Sequence, residues 1–179
     1  LEFNGIGSHN VVDSWTQGHS YGPEPSSSHN EICEKCAGRG IVFTPAERLI
    51  VAADFKPTAP NGKDWVKAQV LALADSLKGT GVCLKVNSAL RACGYDLIDE
   101  IQSRGLRVFA DLKLFDISET LSTDGVLLKE AKPEILTTVC VAGVSAMQAL
   151  KAELPDTEVL GVTVLTSLND DQTKVMFDC

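Results

Sequence analysis

Three apolar runs in this chain each end in a charge, and their spacing limits what the chain can fold into. Leu49-Ile-Val-Ala-Ala53 is followed by Asp54, Val82-Cys-Leu84 leads into Lys85, and Leu106-Arg-Val-Phe-Ala110 leads into Asp111 and Lys113. The marker residues recur after 31 positions (Asp54 to Lys85) and again after 26 (Lys85 to Asp111). A strand, a returning helix and two short loops need at least about 25 residues, so this cadence reads as successive βα units with parallel strands. In a parallel α/β fold the carboxyl ends of all strands lie on one rim, where sites are built.

The remaining elements follow the same rhythm. Strands are expected over Leu49–Ala53, Val82–Val86, Leu106–Lys113, Ile135–Val141 and Val159–Leu165. Helical spacing of apolar residues predicts helices over Asp64–Leu77, Tyr95–Arg104, Ser118–Lys132 and Ser145–Leu154, with another beginning at Asp170. The first carries apolar residues at Trp65, Ala68, Leu71, Ala72 and Leu77; the third, at Leu121, Val126, Leu127 and Ala131. Pro133 stops the third helix because a proline cannot continue it.

Asp111 and Lys113 are two residues apart, so on a strand both side chains face one way, and Asp116 follows three residues later. Three charges in six positions at the end of an apolar run are not what packing asks for. Read from spacing alone, a plainer role is a surface ion pair on an edge strand. Plainer roles exist elsewhere too: Asp54 as a cap for the loop after its strand, Lys85 reaching to solvent along its apolar stem, and Thr166 as a structural residue.

Composition excludes several classes. Of 179 residues, 44% are hydrophobic and 22% charged, as in an ordinary soluble domain. The net charge of −8 gives a nucleic-acid partner no electrostatic support. No apolar run approaches the length of about 18 residues needed to span a membrane, and no basic region followed by an apolar core marks a secretory leader. The six cysteines are spread without a disulfide framework; Cys83 and Cys140 sit inside apolar runs, where a free thiol behaves as a small hydrophobe. A reducing cytoplasm is the expected compartment.

Residues 1–44 differ from the rest. Gly22-Pro-Glu-Pro-Ser-Ser-Ser28 is polar and turn-rich, and the segment reads as a flexible arm ahead of a domain over residues 45–179. All three histidines, His9, His19 and His29, lie in it, so the domain has no histidine to use as a catalyst. Cys33-Glu-Lys-Cys36-Ala-Gly-Arg-Gly40 looks like one half of the zinc-binding repeat of DnaJ-type chaperones. Cys33 and Cys36 would hold one side of a tetrahedral zinc, with His29 as a third ligand and no evident fourth. An inert cysteine pair and a redox pair are the other readings.

From about Arg48 to Asp170 the chain resembles the orotidine 5′-phosphate decarboxylase family. The resemblance rests on Ala-Ala-Asp54, Lys85-Val, Asp-Leu-Lys-x-x-Asp-Ile over 111–117, and Val-Thr-Val-Leu-Thr-Ser over 162–167. The Asp-x-Lys-x-x-Asp element is shared with sugar-phosphate decarboxylases and a hexulose-phosphate synthase, which carry a carboxylate where Lys85 stands. Lys85 therefore favours the orotidylate branch; a sugar-phosphate decarboxylase or aldolase is the alternative. The implied fold is a (β/α)₈ TIM barrel. Eight units take roughly 250 residues, and five strands fit between Leu49 and Cys179. The expectation is thus about the first five βα units, with the phosphate-binding strands absent. Another chain would complete the barrel, or the sequence is a fragment of a longer one. A non-catalytic half-barrel serving as a subunit or a zinc-binding interaction module is a further alternative.

The resemblance also implies a chemistry: orotidine 5′-monophosphate loses CO₂ from C6 without a cofactor, and the product is uridine 5′-monophosphate. By the same resemblance, Lys113 protonates C6, Asp111 lies beside the substrate carboxylate, and Lys85 holds Asp111 charged. Asp116 pairs with Lys113 and reaches a neighbouring site across a homodimer. Asp54 serves a ribose hydroxyl, and Thr166 touches the pyrimidine from the end of the fifth strand. Ile117 and Thr120 complete the substrate-binding set. The sequence departs from the family pattern at Asn87 (usually Gly), Phe115 (His), Ser118 (Pro), Glu119 (Asn) and Cys140 (commonly His). Glu119 adds an anion near a site for an anionic substrate.

Overall fold

The structure, a computed structural model, describes residues 44–57 and 62–177. Nearly all of the expected arm, with His29, Cys33 and Cys36, lies outside the described residues. The chain divides into two units between Arg48 and Leu49. In the first, a 3₁₀ turn over Ala46–Arg48 is opened by a reciprocal cap. The Glu47 N–H donates to Thr44 Oγ1 at 3.3 Å, and the Thr44 N–H donates to Glu47 Oε2 at 2.6 Å.

The second unit is a five-stranded parallel sheet in sequence order. Its strands are β1 (Ile50–Ala52), β2 (Cys83–Val86), β3 (Arg107–Leu114), β4 (Ile135–Val139) and β5 (Glu158–Val162). Its helices are α1 (Gly62–Leu77), α2 (Ser88–Cys93), α3 (Asp96–Gln102), α4 (Ser118–Ala131), α5 (Val144–Glu153) and α6 (Asp170–Phe177). This is the expected series of βα units with one helix not anticipated: α2 is too short to show a period, and Gly94, at φ 86°, ends it before α3 begins.

The core lies between the sheet and its helices. Leu84, Val86, Val108, Ala110 and Leu136 from the strands meet Val70, Ile98, Ile101, Leu121, Leu128 and Leu150 from the helices, all fully buried. Cys83 is buried at the start of β2, and burial pushes its thiol up to about 11. Among the described residues no helix is long and apolar enough to cross a membrane.

In two helices apolar spacing alone does not single out the face that is buried. In α1 the buried line is Val66, Val70 and Ala74, while Ala68 and Ala72 are exposed and Trp65 and Leu71 are half-buried. Apolar residues surround this helix almost completely, so its sequence period did not single out one face. In α4 the buried line is Leu121, Gly125, Leu128 and Ala131, and Val126 and Leu127 face outward. Gly125 explains the choice. A Cβ there would stand 2.7 Å from Glu153 Cβ and 3.3 Å from the Leu150 carbonyl. The missing side chain lets α5 close on α4, and these two pack more extensively than any other pair of elements.

The two late strands end sooner than expected. After Val139 the chain turns into a 3₁₀ helix over Cys140–Ala142, so Cys140 is not on the strand. The β4–β5 pairing closes at Val139 and Val162. Beyond that point β5 has no partner to continue against, and Thr163 to Ser167 are exposed.

Opposite the charged rim, Glu134 ties three elements together. Its Oε2 accepts from the Val108 N–H at 2.6 Å, its carbonyl accepts from the Glu158 N–H at 2.9 Å, and Gln102 donates to both its carboxylate oxygens at 3.3 Å.

The Gly125 packing yields a stability prediction. In an open helix, Gly→Ala gains about 1 kcal/mol. Here Gly125→Ala is expected instead to lower the urea midpoint, with a loss of about 1–3 kcal/mol from overpacking against α5. An unchanged or higher midpoint would show that α4 and α5 are not in close contact.

Candidate active site

The pleat of three neighbouring strands builds the site. Ala52 of β1, Lys85 of β2 and Phe109 of β3 lie level in the parallel register. Residues level with one another in a parallel pair share a face, and so do residues two further on. Asp54 and Asp111 therefore project on the same face as Lys85, one step nearer the rim. Because β2 lies between β1 and β3, the Lys85 stem rises between two carboxylates.

The observed contacts follow. Lys85 Nζ donates to Asp54 Oδ2 at 2.9 Å and lies 3.5 Å from Asp111 Oδ2. Lys113 Nζ lies 2.7 Å from each oxygen of Asp111. The result is an alternating row, Asp54–Lys85–Asp111–Lys113. Asp111 is 7% exposed, and β3 is the central strand of five. This replaces the reading of a surface ion pair on an edge strand. Lys85 does not reach past the row to solvent; its side chain is 22% exposed, and Asp54 and Asp111 hold its ammonium.

Burial by itself pushes the Asp111 carboxyl up. The hydrogen bonds from Lys113 and Thr137, with the charges of Lys113 and Lys85, outweigh burial and hold it below the ordinary carboxylate range. For Lys85, desolvation pulls the ammonium down, but the bond and charge of Asp54 and then those of Asp111 prevail and raise it. Both groups are thus held in their charged forms.

Thr137 was not foreseen. It is a buried residue of β4, and its hydroxyl donates to Asp111 Oδ1 at 3.0 Å while accepting the Lys113 N–H at 2.9 Å. The available signal was a pair of threonines, Thr137 and Thr138, inside an apolar strand run. Both are spent on β3: Thr138 Oγ1 donates to the Leu114 carbonyl at 2.9 Å.

Other expected residues stand apart from the row. Asp116 is exposed, and its Oδ1 accepts from the Ile117 N–H at 2.7 Å. No Asp116–Lys113 ion pair occurs among the described residues, because the Lys113 ammonium is taken up by both oxygens of Asp111. Ile117 is 69% exposed just before α4, and Thr120 is half-buried in its first turn. Thr166 is exposed on a turn four residues past the end of β5, not on the strand end. Phe115 and Glu119 are exposed on the same β3–α4 segment as Asp116. A concavity of about 350 Å³ opens beside Asp54, between Ala53–Pro57 and the start of α2 at Ser88 and Ala89. Among the described residues, no group of three or more His, Cys, Asp or Glu side chains is placed to hold a metal.

The row's two limbs respond oppositely to pH. Asp111 adds stability fully above the unfolded carboxyl value of about 3.9, and that stability is lost as pH falls through the lower folded value. Lys85 adds stability fully below the unfolded ammonium value of about 10.4, and that is lost as pH rises through the higher folded value. Urea midpoints measured across pH are therefore expected to fall less steeply on the acid side in Asp111→Asn and on the alkaline side in Lys85→Met. Parallel curves for parent and variants would mean that the row does not titrate with folding.

Known proteins resemble this chain in sequence and in fold. Orotidine 5′-phosphate decarboxylase of Syntrophus aciditrophicus is 35% identical over 143 residues, covering 74% of this chain and 54% of that protein. The protein of the same name from Gluconobacter oxydans is 36% identical over 132 residues, covering 68% and 51%. The chain spans about half the length of the curated relatives it matches. Among solved structures, orotidine 5′-phosphate decarboxylase from Lactobacillus acidophilus superposes with a TM-score of 0.60 at 24% identity, over 73% of this chain and 59% of that one. That likeness identifies the fold as part of a (β/α)₈ barrel. The model of the Orotidine 5′-phosphate decarboxylase / HUMPS family matches residues 47–176, a span that takes in all five strands and every residue of the charged row, and the chain belongs to that family.

Proposed function

We propose that this chain carries the charged half of a site that decarboxylates orotidine 5′-monophosphate. The observation that supports this most is the alternating row, with Asp111 held as an anion between Lys85 and Lys113. The relatives' names point the same way. Lys85 favours this reaction over a sugar-phosphate one, since it supplies the second cation that keeps Asp111 charged.

The chemistry needs electrostatics more than functional groups. Breaking the C6–CO₂ bond leaves an electron pair on C6 of the pyrimidine, with little delocalisation to absorb it. A fixed ammonium aimed at that carbon stabilises the developing charge without having to reorganise. In this reading Lys113 then delivers a proton to C6, CO₂ departs, and the neutral amine regains its proton from solvent. Asp111 sits beside the departing carboxylate and anchors Lys113. Asp54 receives a ribose hydroxyl, and Thr166 contacts the pyrimidine. No cofactor takes part.

The substrate is a small nucleotide, and the site is completed either by further barrel strands of the same protein or by a second chain. Asp116, exposed ahead of α4, is in this reading the residue that reaches a neighbouring subunit of a homodimer, and Ile117 and Thr120 complete the substrate-binding set. The working compartment is the cytoplasm, and the pathway is pyrimidine synthesis.

The test is single-turnover loss of the 6-carboxylate in a barrel-complete protein, with folding followed by circular dichroism. Lys113→Ala is expected to lower the rate by more than the 10²–10⁴-fold, about 3–5 kcal/mol, typical of general acid–base catalysis alone, because it removes both proton and charge. The fold is expected to persist. A variant that stays within about tenfold of the parent, about 1.4 kcal/mol, would sink both the role of Lys113 and the orotidylate reading.

A further inference from the structure

One peptide group near the row sits where the sheet register breaks. Between Ala110 and Leu114 the register of β3 against β4 shifts: Ala110 pairs with Leu136, but Leu114 pairs with Thr138. The Leu112–Lys113 peptide lies inside this bulge, and Lys113 is left-handed at φ 50°. That conformation is unfavourable for any residue with a side chain other than a few short polar ones. A buried backbone N–H or C=O outside the ladder must also find other partners.

Both ends of this peptide are held by side chains, from opposite sides of β3. From α2, Arg91 Nη2 donates to the Leu112 carbonyl at 2.9 Å. From β4, Thr137 Oγ1 accepts the Lys113 N–H at 2.9 Å. The Thr137 hydroxyl turns its own proton to Asp111 Oδ1 at 3.0 Å. Thr137 is 4% exposed, so water does not compete for either bond. Among the described contacts to Asp111, it is the only uncharged donor.

We infer that Thr137 is a positioning residue for the charged row, with Arg91 as its counterpart: the two clamp the Leu112–Lys113 peptide in its left-handed turn and so fix where the Lys113 ammonium meets Asp111. Thr137 has a second effect that Arg91 lacks. It binds the carboxylate itself, so it acts on the charge of Asp111 as well as on its place. The inference rests on the proposed decarboxylation only for what the row is used for; the clamp exists without substrate.

The experiment is nuclear magnetic resonance on the whole chain, without ligand. It follows the Asp111 carboxyl carbon against pH and the exchange of the Lys113 amide with deuterated water. Thr137→Val keeps the shape and removes the hydroxyl. It is expected to raise the Asp111 titration by about one pH unit, a tenfold change in its protonation equilibrium, and to speed Lys113 amide exchange by at least about tenfold. Thr137→Ser, which keeps the hydroxyl, is expected to restore both. Arg91→Met is expected to speed the amide exchange while leaving the Asp111 titration in place, a split that a general loss of stability would not produce. A folded Thr137→Val protein with the parent titration overturns the inference, as does a Thr137→Ser protein that restores neither signal. Should Thr137→Val not fold, the parent and Thr137→Ser decide. A Lys113 amide that exchanges as fast as an unbonded peptide overturns the clamp, and protection of at least about tenfold in both upholds it. Because no step of this test uses substrate, its failure leaves the decarboxylase reading standing. Failure of that reading in turn leaves the clamp.

Discussion

A carboxylate buried among apolar strands must either be neutralised or be surrounded by cations and donors. Asp111 is surrounded, and much of the second unit depends on how. Lys113 reaches it from the same strand, whereas Lys85 reaches it because β2 lies beside β3 in parallel, and Asp54 meets Lys85 because β1 lies on the other side of β2. The helices that return the chain between those strands therefore serve the row as much as the core. The dependence also runs the other way. Removing one partner of a buried ion pair costs about 3–5 kcal/mol, because it leaves a charge stranded. Lys85 and Lys113 divide that risk, so the loss of either still leaves Asp111 one ammonium and the Thr137 hydroxyl.

The parts of this arrangement that were legible in the sequence are those governed by local repetition. Charge-terminated apolar runs at near-regular spacing gave the parallel strands, and the two-residue step from Asp111 to Lys113 gave the shared face. Lys85 and Asp54 joined them because every strand ends at the same rim. What was not legible depended on partners far along the chain. Val126 and Leu127 looked as apolar as Leu128, and only the approach of α5 over Gly125 decides which is buried. Thr166 was placed on a strand end because its run is apolar, but a strand continues only while its neighbour does, and β4 turns away after Val139. Thr137 showed no charge and no motif; its role exists only because a bulge on another strand presents it with an N–H and a carboxylate oxygen.

The bulge itself sits where regular structure and the site make opposite demands. An unbroken β3 would give every peptide a ladder partner and every residue an ordinary backbone. The observed β3 surrenders both over a few residues at the rim and recovers the lost hydrogen bonds through Arg91, Thr137 and Thr138. Irregular backbone concentrated beside a charged cluster, in an otherwise regular sheet, is the pattern expected where geometry at one place matters more than local stability.

Glu134 stands at the other end of the same strands. It binds the start of β3, receives the N–H that opens β5, and accepts from the last residue of α3, all without approaching the row. Anchoring and chemistry are therefore assigned to opposite ends of one sheet. Residues at the rim can therefore change while the foundation of the sheet stays pinned. The same separation gives an engineer one handle clear of the row: changes around Glu134 act on how well the strands hold together, whereas changes around Asp111 act on stability and on the site at once.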